Sequence, residues 1–345
     1  MDAAAALVAE GGGAARRRLL TAMAAASAAG SNPLAAIAAA TAASPIAEWL
    51  KRIRDAATGT SYLGTATFSA GGTVSSSRLA HFCDRSQRFE RVEGLDGKLR
   101  LQYRHNERLV TLWPASRVAV VEHYVGMPDF PALPPDALRA EAHYAMQANG
   151  VKRVCGFDAD VLRFEPRDAH RFSQSLWAER RTGLLLRADT LGPKGEVLET
   201  SAFTELAFTQ RPDVRRVLEP MRRLDGWRVV RPKVVKTRLE AEGWTLARPV
   251  PGFELVACHR RPLDTSDAVD FASAVQVVQA VYSDGLAQVS VFIEPYDVAR
   301  HHGGHSVIGA THTSMSRRGE HWLTVVGEVP LSTVQWFESA IQRRQ

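Results

Sequence analysis

Eleven histidines and three cysteines are the residues through which this chain could do metal or thiol chemistry. His301, His302, His305 and His312 crowd one stretch, with His321 further on. Imidazole is a common zinc ligand, but His301-His302-Gly303-Gly304-His305 is glycine-rich and has no neighbouring cysteine or helix to fix a ligand geometry. We read it as a flexible solvated loop and expect no metal and no cofactor. Cys83, Cys155 and Cys258 are odd in number, so at most one disulfide forms and one thiol is left over. Each follows an apolar neighbour in strand-like sequence (Phe82, Val154, Ala257), where a cysteine ordinarily serves as a small buried hydrophobe. The nucleophile elbow G-x-S-x-G, the phosphate loop G-x-x-x-x-G-K, H-E-x-x-H and a strand-to-helix G-x-G-x-x-G are all missing. A hydrolase needs a nucleophile and a base within reach, and no motif supplies them, so an enzyme is not expected.

The remaining residues must therefore position something other than a reaction centre. At 345 residues the chain can fold as two domains with separate cores. Its 45% apolar and 23% charged composition is that of a globular protein. The formal charge of +6 is scattered over polar strand faces rather than blocked together, which suits a solubilising surface and gives no reason to expect a nucleic-acid partner. Residues 1–43 read as an export signal: Arg16, Arg17 and Arg18 precede an alanine-rich tract that ends in small residues around Ala40-Thr41-Ala42. Ser27, Gly30, Ser31, Asn32 and Pro33 interrupt the tract, which makes it a poor membrane span, since a span needs about 20 unbroken apolar residues.

Residues 44–209 read as one large sheet domain. Ser44 and Pro45 open a helix whose Ile46, Trp49, Leu50, Ile53 and Ala57 recur on one face. Strands follow in an antiparallel meander, with hairpin signals at Asp96-Gly97 and Asn149-Gly150. Residues 127–135 hold four prolines and are expected to form a flap over the dry face of the sheet. The clearest stretch is 176–206, three strands joined by turns at Gly183 and at Gly192-Pro193-Lys194-Gly195. Roughly ten strands in sequence order with helices on one side predict a strongly curved half-barrel. Its candidate aromatic lining is Tyr62, Phe68, Phe82, Tyr103, Trp113, Phe164, Trp177 and Phe203, either as packed core or as the wall of a lipid pocket.

Residues 210–240 are rich in arginine and proline and read as a linker, within which Val217-Leu218-Glu219-Pro220 could form a short docked turn. Residues 241–345 then form a smaller antiparallel sheet closed by a helix over 332–343, with a Ser332-x-x-Gln335 capping box. Ser283-Asp284-Gly285 is the turn of its central hairpin. The fold class is thus α+β, a large curved antiparallel half-barrel with helices plus a small antiparallel sheet-and-helix domain.

Several runs carry a resemblance that spacing alone does not. They are GTATFS from Gly64, the R-x-x-H ending at His81, ERVEGLDGKLR from Glu90, GLLLRADTLGPKGEVLETSAFTEL from Gly183, PGFELV from Pro251, YSDGLAQVSVFIE from Tyr282 and TVVGEVP from Thr324. Together, and in this order, they resemble the MucB/RseB family. The chain departs from that family's pattern at Cys83 and Cys155 and in the histidine-rich loop. The resemblance implies a periplasmic regulator that binds the periplasmic part of a transmembrane anti-sigma factor and shields it from the site-1 protease. It also implies a LolA/LolB-like large domain with a lipid-sized cavity, through which lipopolysaccharide or another lipid releases the partner. On that footing the aromatic set above becomes the candidate acyl-chain site. Arg78, Arg88, Arg91, Arg100 and Arg104 become candidate phosphate contacts, because guanidinium forks suit phosphate. Tyr282, Asp284, Phe292 and Glu294, with the loop over 296–318, become the candidate partner-binding surface. A periplasmic lipid or lipoprotein carrier is the alternative, and a homo-oligomer stays open.

Overall fold

The computed structural model describes residues 45–84, 86–123, 130–209, 213–262 and 275–344. The expected export signal and the Ser44 cap lie outside the described residues. Helix α1 (Pro45–Gly59) follows the expected periodicity, with Leu50 and Ile53 fully buried among Leu162, Phe164, Leu176 and Leu185. Its polar side also docks, as Arg52 lies over the Trp49 ring and donates to the Glu179 carbonyl at 3.3 Å and to that of Arg180.

Eleven of the twelve strands of the large sheet run through two meanders. The first comprises β1 (Tyr62–Ala70), β2 (Thr73–Asp84), β3 (Gln87–Gly94), β4 (Leu101–His105), β5 (Arg108–Trp113) and β6 (Val118–His123). The second comprises β7 (Tyr144–Val154), β8 (Phe157–Pro166), β9 (Ser173–Glu179), β10 (Leu185–Leu191) and β11 (Val197–Phe208). They are not laid down in simple sequence order: β1 pairs with β11 antiparallel, so the two meanders fuse at the middle and their later strands fan outwards. The 176–206 stretch gives three antiparallel strands as expected, β9 to β11.

One expected hairpin does not form. Asn149-Gly150 lies inside β7, where the register slips between Ala148 and Val151, and Gly150 at φ 74° spends its freedom on a bulge. The turn sits instead at Cys155 (φ 49°) and Gly156 (φ 84°), which supply the two positive φ values that a tight hairpin needs.

The stretch expected to be a linker carries structure belonging to both domains. Helix α2 (Arg215–Arg222) seats Val217 and Met221 against Phe82, Phe89, Tyr103 and Val110, covering one face of β2 to β5. Strand β12 (Arg228–Val230) then extends the large sheet by pairing parallel to β6, and β13 (Val235–Lys236) joins the small sheet at β15 (Glu254–Pro262). Three of the arginines that made the stretch look solvated, Arg215, Arg216 and Arg222, occupy the outward side of this short amphipathic helix.

In the small domain, β14 (Trp244–Leu246) stands apart from the main sheet and pairs with β21 (Ile341–Arg343) at the chain end. Strands β16 (Gln276–Ser283), β17 (Gln288–Pro295), β18 (Gly304–Ile308), β19 (Thr311–Arg318) and β20 (His321–Gly327) complete a seven-stranded sheet. Helix α3 (Leu331–Ala340) lays Val334 and Phe337 on that sheet. It starts after Pro330 without a side-chain cap, so the Ser332 capping box does not form, and Thr333 Oγ1 donates across the domains to the His170 carbonyl at 2.9 Å.

The β16–β17 turn joins the two domains. Asp284 Oδ2 accepts from Tyr144 Oη at 3.0 Å and lies 3.3 Å from Arg171 Nε, while Asp284 Oδ1 accepts from the Leu286 and Ala287 amides. The side chains of Arg171 and Asp284 are both fully buried. Gly285 (φ 106°) is required here, because a Cβ would sit 2.7 Å from the Ala140 nitrogen in the 3-10 turn Ala137–Ala142. A second seam lies at Glu199, whose Oε1 accepts from the Ala310 and Thr311 amides and from Thr311 Oγ1.

Candidate functional site

The concave face of β1 to β4 encloses a cavity of about 460 Å³, closed on one side by α1 and on another by residues 130–135. Phe130, Pro131, Ala132 and Leu133 line it, so the described part of the proline-rich flap sits where the sequence reading expected a cover. Strand alternation decides which side chains reach in. On β2 these are Ser75, Ser77, Leu79 and His81; on β3, Arg88, Glu90 and Val92; on β4, Gln102 and Arg104; Ala80 and Arg91, of the other parity, also touch the lining.

That parity corrects most of the expected aromatic lining. Tyr62 and Phe68 line the cavity. Phe82 and Tyr103 point the other way, into the core under α2. Phe164 is buried with α1, and Trp177 and Phe203 belong to the cluster behind Tyr62. Phe203 supports the wall at one remove, with its ring centroid 5.6 Å from Tyr62 and 5.1 Å from Phe130. Trp113 is half-buried at the end of β5 and is not part of the lining. The aromatic parity of β2 to β4 was legible as a buried face, but what buries it is α2, an element that the sequence reading had placed in the linker.

Among the arginines, Arg88, Arg91 and Arg104 reach the cavity, together with Arg54 from α1, which the sequence reading did not single out. Arg78 does not line the cavity; it is exposed and 3.3 Å from Glu93, whose carboxylate also takes Arg91 at 2.7 Å. Arg100 lies outside the lining, just before β4.

The polar end of the cavity is built around Glu90. Its Oε1 accepts from Arg104 Nη2 and lies 3.0 Å from His81 Nδ1. The His81 ring stacks on Tyr62 with centroids 5.3 Å apart, and its Nε2 lies 3.1 Å from Cys83 Sγ. Burial works against a charged His81, but the hydrogen bonds to Cys83 and Glu90, reinforced by the Glu90 charge, hold it up at about 9. Burial would likewise raise Glu90, yet Arg104 and His81 outweigh it and bring the carboxyl down to about 2. At neutral pH the group is thus a carboxylate between two cations. His81 and Glu90 are cross-strand partners in the β2–β3 pair, and the sequence carried no turn signal between those strands that would have set this register.

The four candidate partner-binding residues are all buried. Tyr282 lies in the small-domain core against Phe337, Asp284 is in the interdomain seam, and Phe292 is 5% exposed. Glu294 is 2% exposed, with Arg300 at 3.9 Å and His301 at 3.6 Å. They occupy central strands or a plugged turn, so none offers a surface in this conformation. The histidine-rich stretch is not a loose loop either. His301 is buried and stacked on Trp322 at 4.8 Å, and the residues after it form the β18–β19 hairpin. Among the described residues no group of three or more histidine, cysteine, aspartate or glutamate side chains is placed to hold a metal ion.

With this geometry in hand, comparison with known proteins gives a consistent result. The MucB/RseB N-terminal domain model matches residues 45–221, a span that includes α2, and the MucB/RseB C-terminal domain model matches residues 238–342. The chain is 30% identical over 303 residues to the sigma factor AlgU regulatory protein MucB of Pseudomonas aeruginosa, covering 86% of this chain and 90% of that protein. It is 27% identical over 208 residues to the sigma-E factor regulatory protein RseB of Escherichia coli K12, covering 58% of this chain and 59% of that one. Its structure resembles the crystal structure of MucB in complex with MucA(peri), at 28% identity and a TM-score of 0.63, covering 87% of this chain and 99% of the other.

Proposed function

The chain belongs to the MucB/RseB family over both of its domains, and from that premise we propose that it is a periplasmic regulator that grips the periplasmic segment of a transmembrane anti-sigma factor. The observation that carries this reading is the likeness to MucB in its complex with MucA(peri), which spans nearly the whole of that chain. In this reading the bound segment is shielded from the site-1 protease, and the sigma factor stays inactive. The protein acts by binding alone, without a catalytic step.

The cavity is the sensing element of the proposal. Tyr62, Phe68, Leu79, Phe130 and Leu133 give an apolar wall suited to an acyl chain, and Arg54, Arg88 and Arg91 stand where an anionic headgroup would meet guanidinium groups. Lipopolysaccharide or another anionic lipid then releases the partner, which linkage permits only if lipid binds the free form better than the bound form. A simple lipid carrier would need the large domain alone. The seven-stranded second domain and its interlocked seam favour the regulator.

The test is a co-purification of the full chain with the periplasmic segment of its anti-sigma factor, followed by site-1 protease digestion with and without lipopolysaccharide. Capture and protection that lipopolysaccharide abolishes are expected. Failure to capture the segment sinks the regulator, whereas capture that lipid leaves unchanged sinks only the sensing role of the cavity.

A further inference from the structure

Cys83 shares the cavity-facing parity of β2 with His81, and the two side chains meet, with Sγ 3.1 Å from His81 Nε2. The other ring nitrogen faces Glu90 Oε1 at 3.0 Å, and Arg104 holds the same oxygen. Thiol, imidazole and carboxylate therefore stand in series, the order in which a sulfur nucleophile, its proton partner and the group that orients that partner are found. The sulfur is half-buried rather than sealed, and it donates to the Thr58 carbonyl at 2.7 Å. Thr58, His81 and Glu90 line the cavity, and Cys83 is not itself a lining residue but stands directly behind Thr58 and His81.

The other two thiols lack this setting. Cys258 is buried in the small-domain core, where burial pushes it up to about 12. Cys155 sits in the β7–β8 turn among apolar side chains, and burial raises it too. The sequence default of an inert buried cysteine thus fits Cys258 and fails for Cys83, whose sulfur makes two polar contacts.

We propose that Cys83 is a peroxide-reactive thiol that takes hydroperoxides of apolar molecules admitted to the cavity, with His81 as the proton donor to the departing oxygen. In the reacting form the thiol proton has gone to solvent, leaving a thiolate beside the His81 imidazolium. Sγ attacks the terminal oxygen of R–O–OH, forming an S–O bond as the O–O bond breaks. The thiolate is oxidised to a sulfenic acid, and the peroxide is reduced to the alkoxide R–O⁻. Nε2–H of His81 protonates that alkoxide to the alcohol, and the neutral imidazole regains a proton from solvent. Glu90 and Arg104 are positioning residues that fix the ring. The thiol chemistry rests on the three side chains alone. The preference for an apolar peroxide rests on the lipid reading of the cavity.

The test exposes the purified full chain to hydrogen peroxide or to cumene hydroperoxide, traps sulfenic acid with dimedone and maps the label by peptide mass spectrometry. Cys83 is expected to label faster than Cys155 and Cys258, with cumene hydroperoxide outpacing hydrogen peroxide. The folded variant His81→Gln is expected to slow labelling by about 10²-fold, the scale of general acid–base assistance, and Cys83→Ser removes the label. Labelling no faster at Cys83 than at Cys155, or a folded His81→Gln that reacts as fast as the unmodified chain, overturns the proposal. Equal rates with the two oxidants at a preferred Cys83 uphold the thiol chemistry and overturn the apolar substrate alone. If His81→Gln does not fold, the comparison of the three cysteines in the unmodified chain decides.

Discussion

At Glu90 a single carboxylate oxygen serves two cations, and each holds the other's geometry. Four groups face His81: Glu90 from β3, Arg104 from β4 beyond it, Tyr62 from β1 and Cys83 on its own strand. The folded state raises His81 from 6.5 to about 9, so its contribution to stability is complete below about pH 6.5 and is lost as pH rises through about 9. Glu90 is lowered from 4.5 to about 2, so its contribution is complete above about pH 4.5 and is lost as pH falls through about 2. Both are whole between about pH 4.5 and 6.5. Urea unfolding of the wild type and of His81→Gln is therefore expected to differ by on the order of a few kcal/mol near pH 6 and to converge near pH 10. A gap that stays constant across that range would mean that His81 is not held as a cation.

At the scale of elements, α2 decides which face of β2 to β5 is dry. Val217 is fully buried and Met221 is 2% exposed, so Met221→Ala is expected to cost about 2–5 kcal/mol, as other buried methionine truncations do. A tether would tolerate the same change, so a neutral result in denaturant unfolding would remove α2 from the fold. The sequence allowed no more than a short docked turn at Val217-Leu218-Glu219-Pro220 in place of this helix, for a physical reason. The helix is only eight residues long, contains Pro220 and shows just two fully buried side chains, so its apolar periodicity is too short to stand out from the surrounding arginines. The aromatic parity on β2 to β4 was assigned to the cavity in consequence, and the polar parity faces it instead.

At the scale of the whole molecule, the two domains are joined by a fully buried ion pair, Arg171 with Asp284. Burial pushes Asp284 upward, and Arg171, the Leu286 and Ala287 amides and Tyr144 oppose it. Removing one partner of such a pair leaves the other stranded, which costs about 3–5 kcal/mol. Arg171→Met is expected to destabilise the chain by that amount and to expose the seam to limited proteolysis, and Arg171→Met with Asp284→Asn is expected to recover part of the loss. A neutral Arg171→Met would show that the domains do not depend on this pair.

The sequence by itself determined the strand-rich α+β class, the 176–206 meander, α1 and the family, because each rests on local periodicity, turn residues or a run of matching motifs. It also marked Ser283-Asp284-Gly285 as a turn, though not that the turn is plugged into the other domain. Only the tertiary structure decided which parity of β2 to β4 faces the cavity, that Gly150 makes a bulge, and that Tyr282, Asp284, Phe292 and Glu294 are buried. Alternation fixes that a strand has two faces, but what covers each face comes from residues distant in the chain.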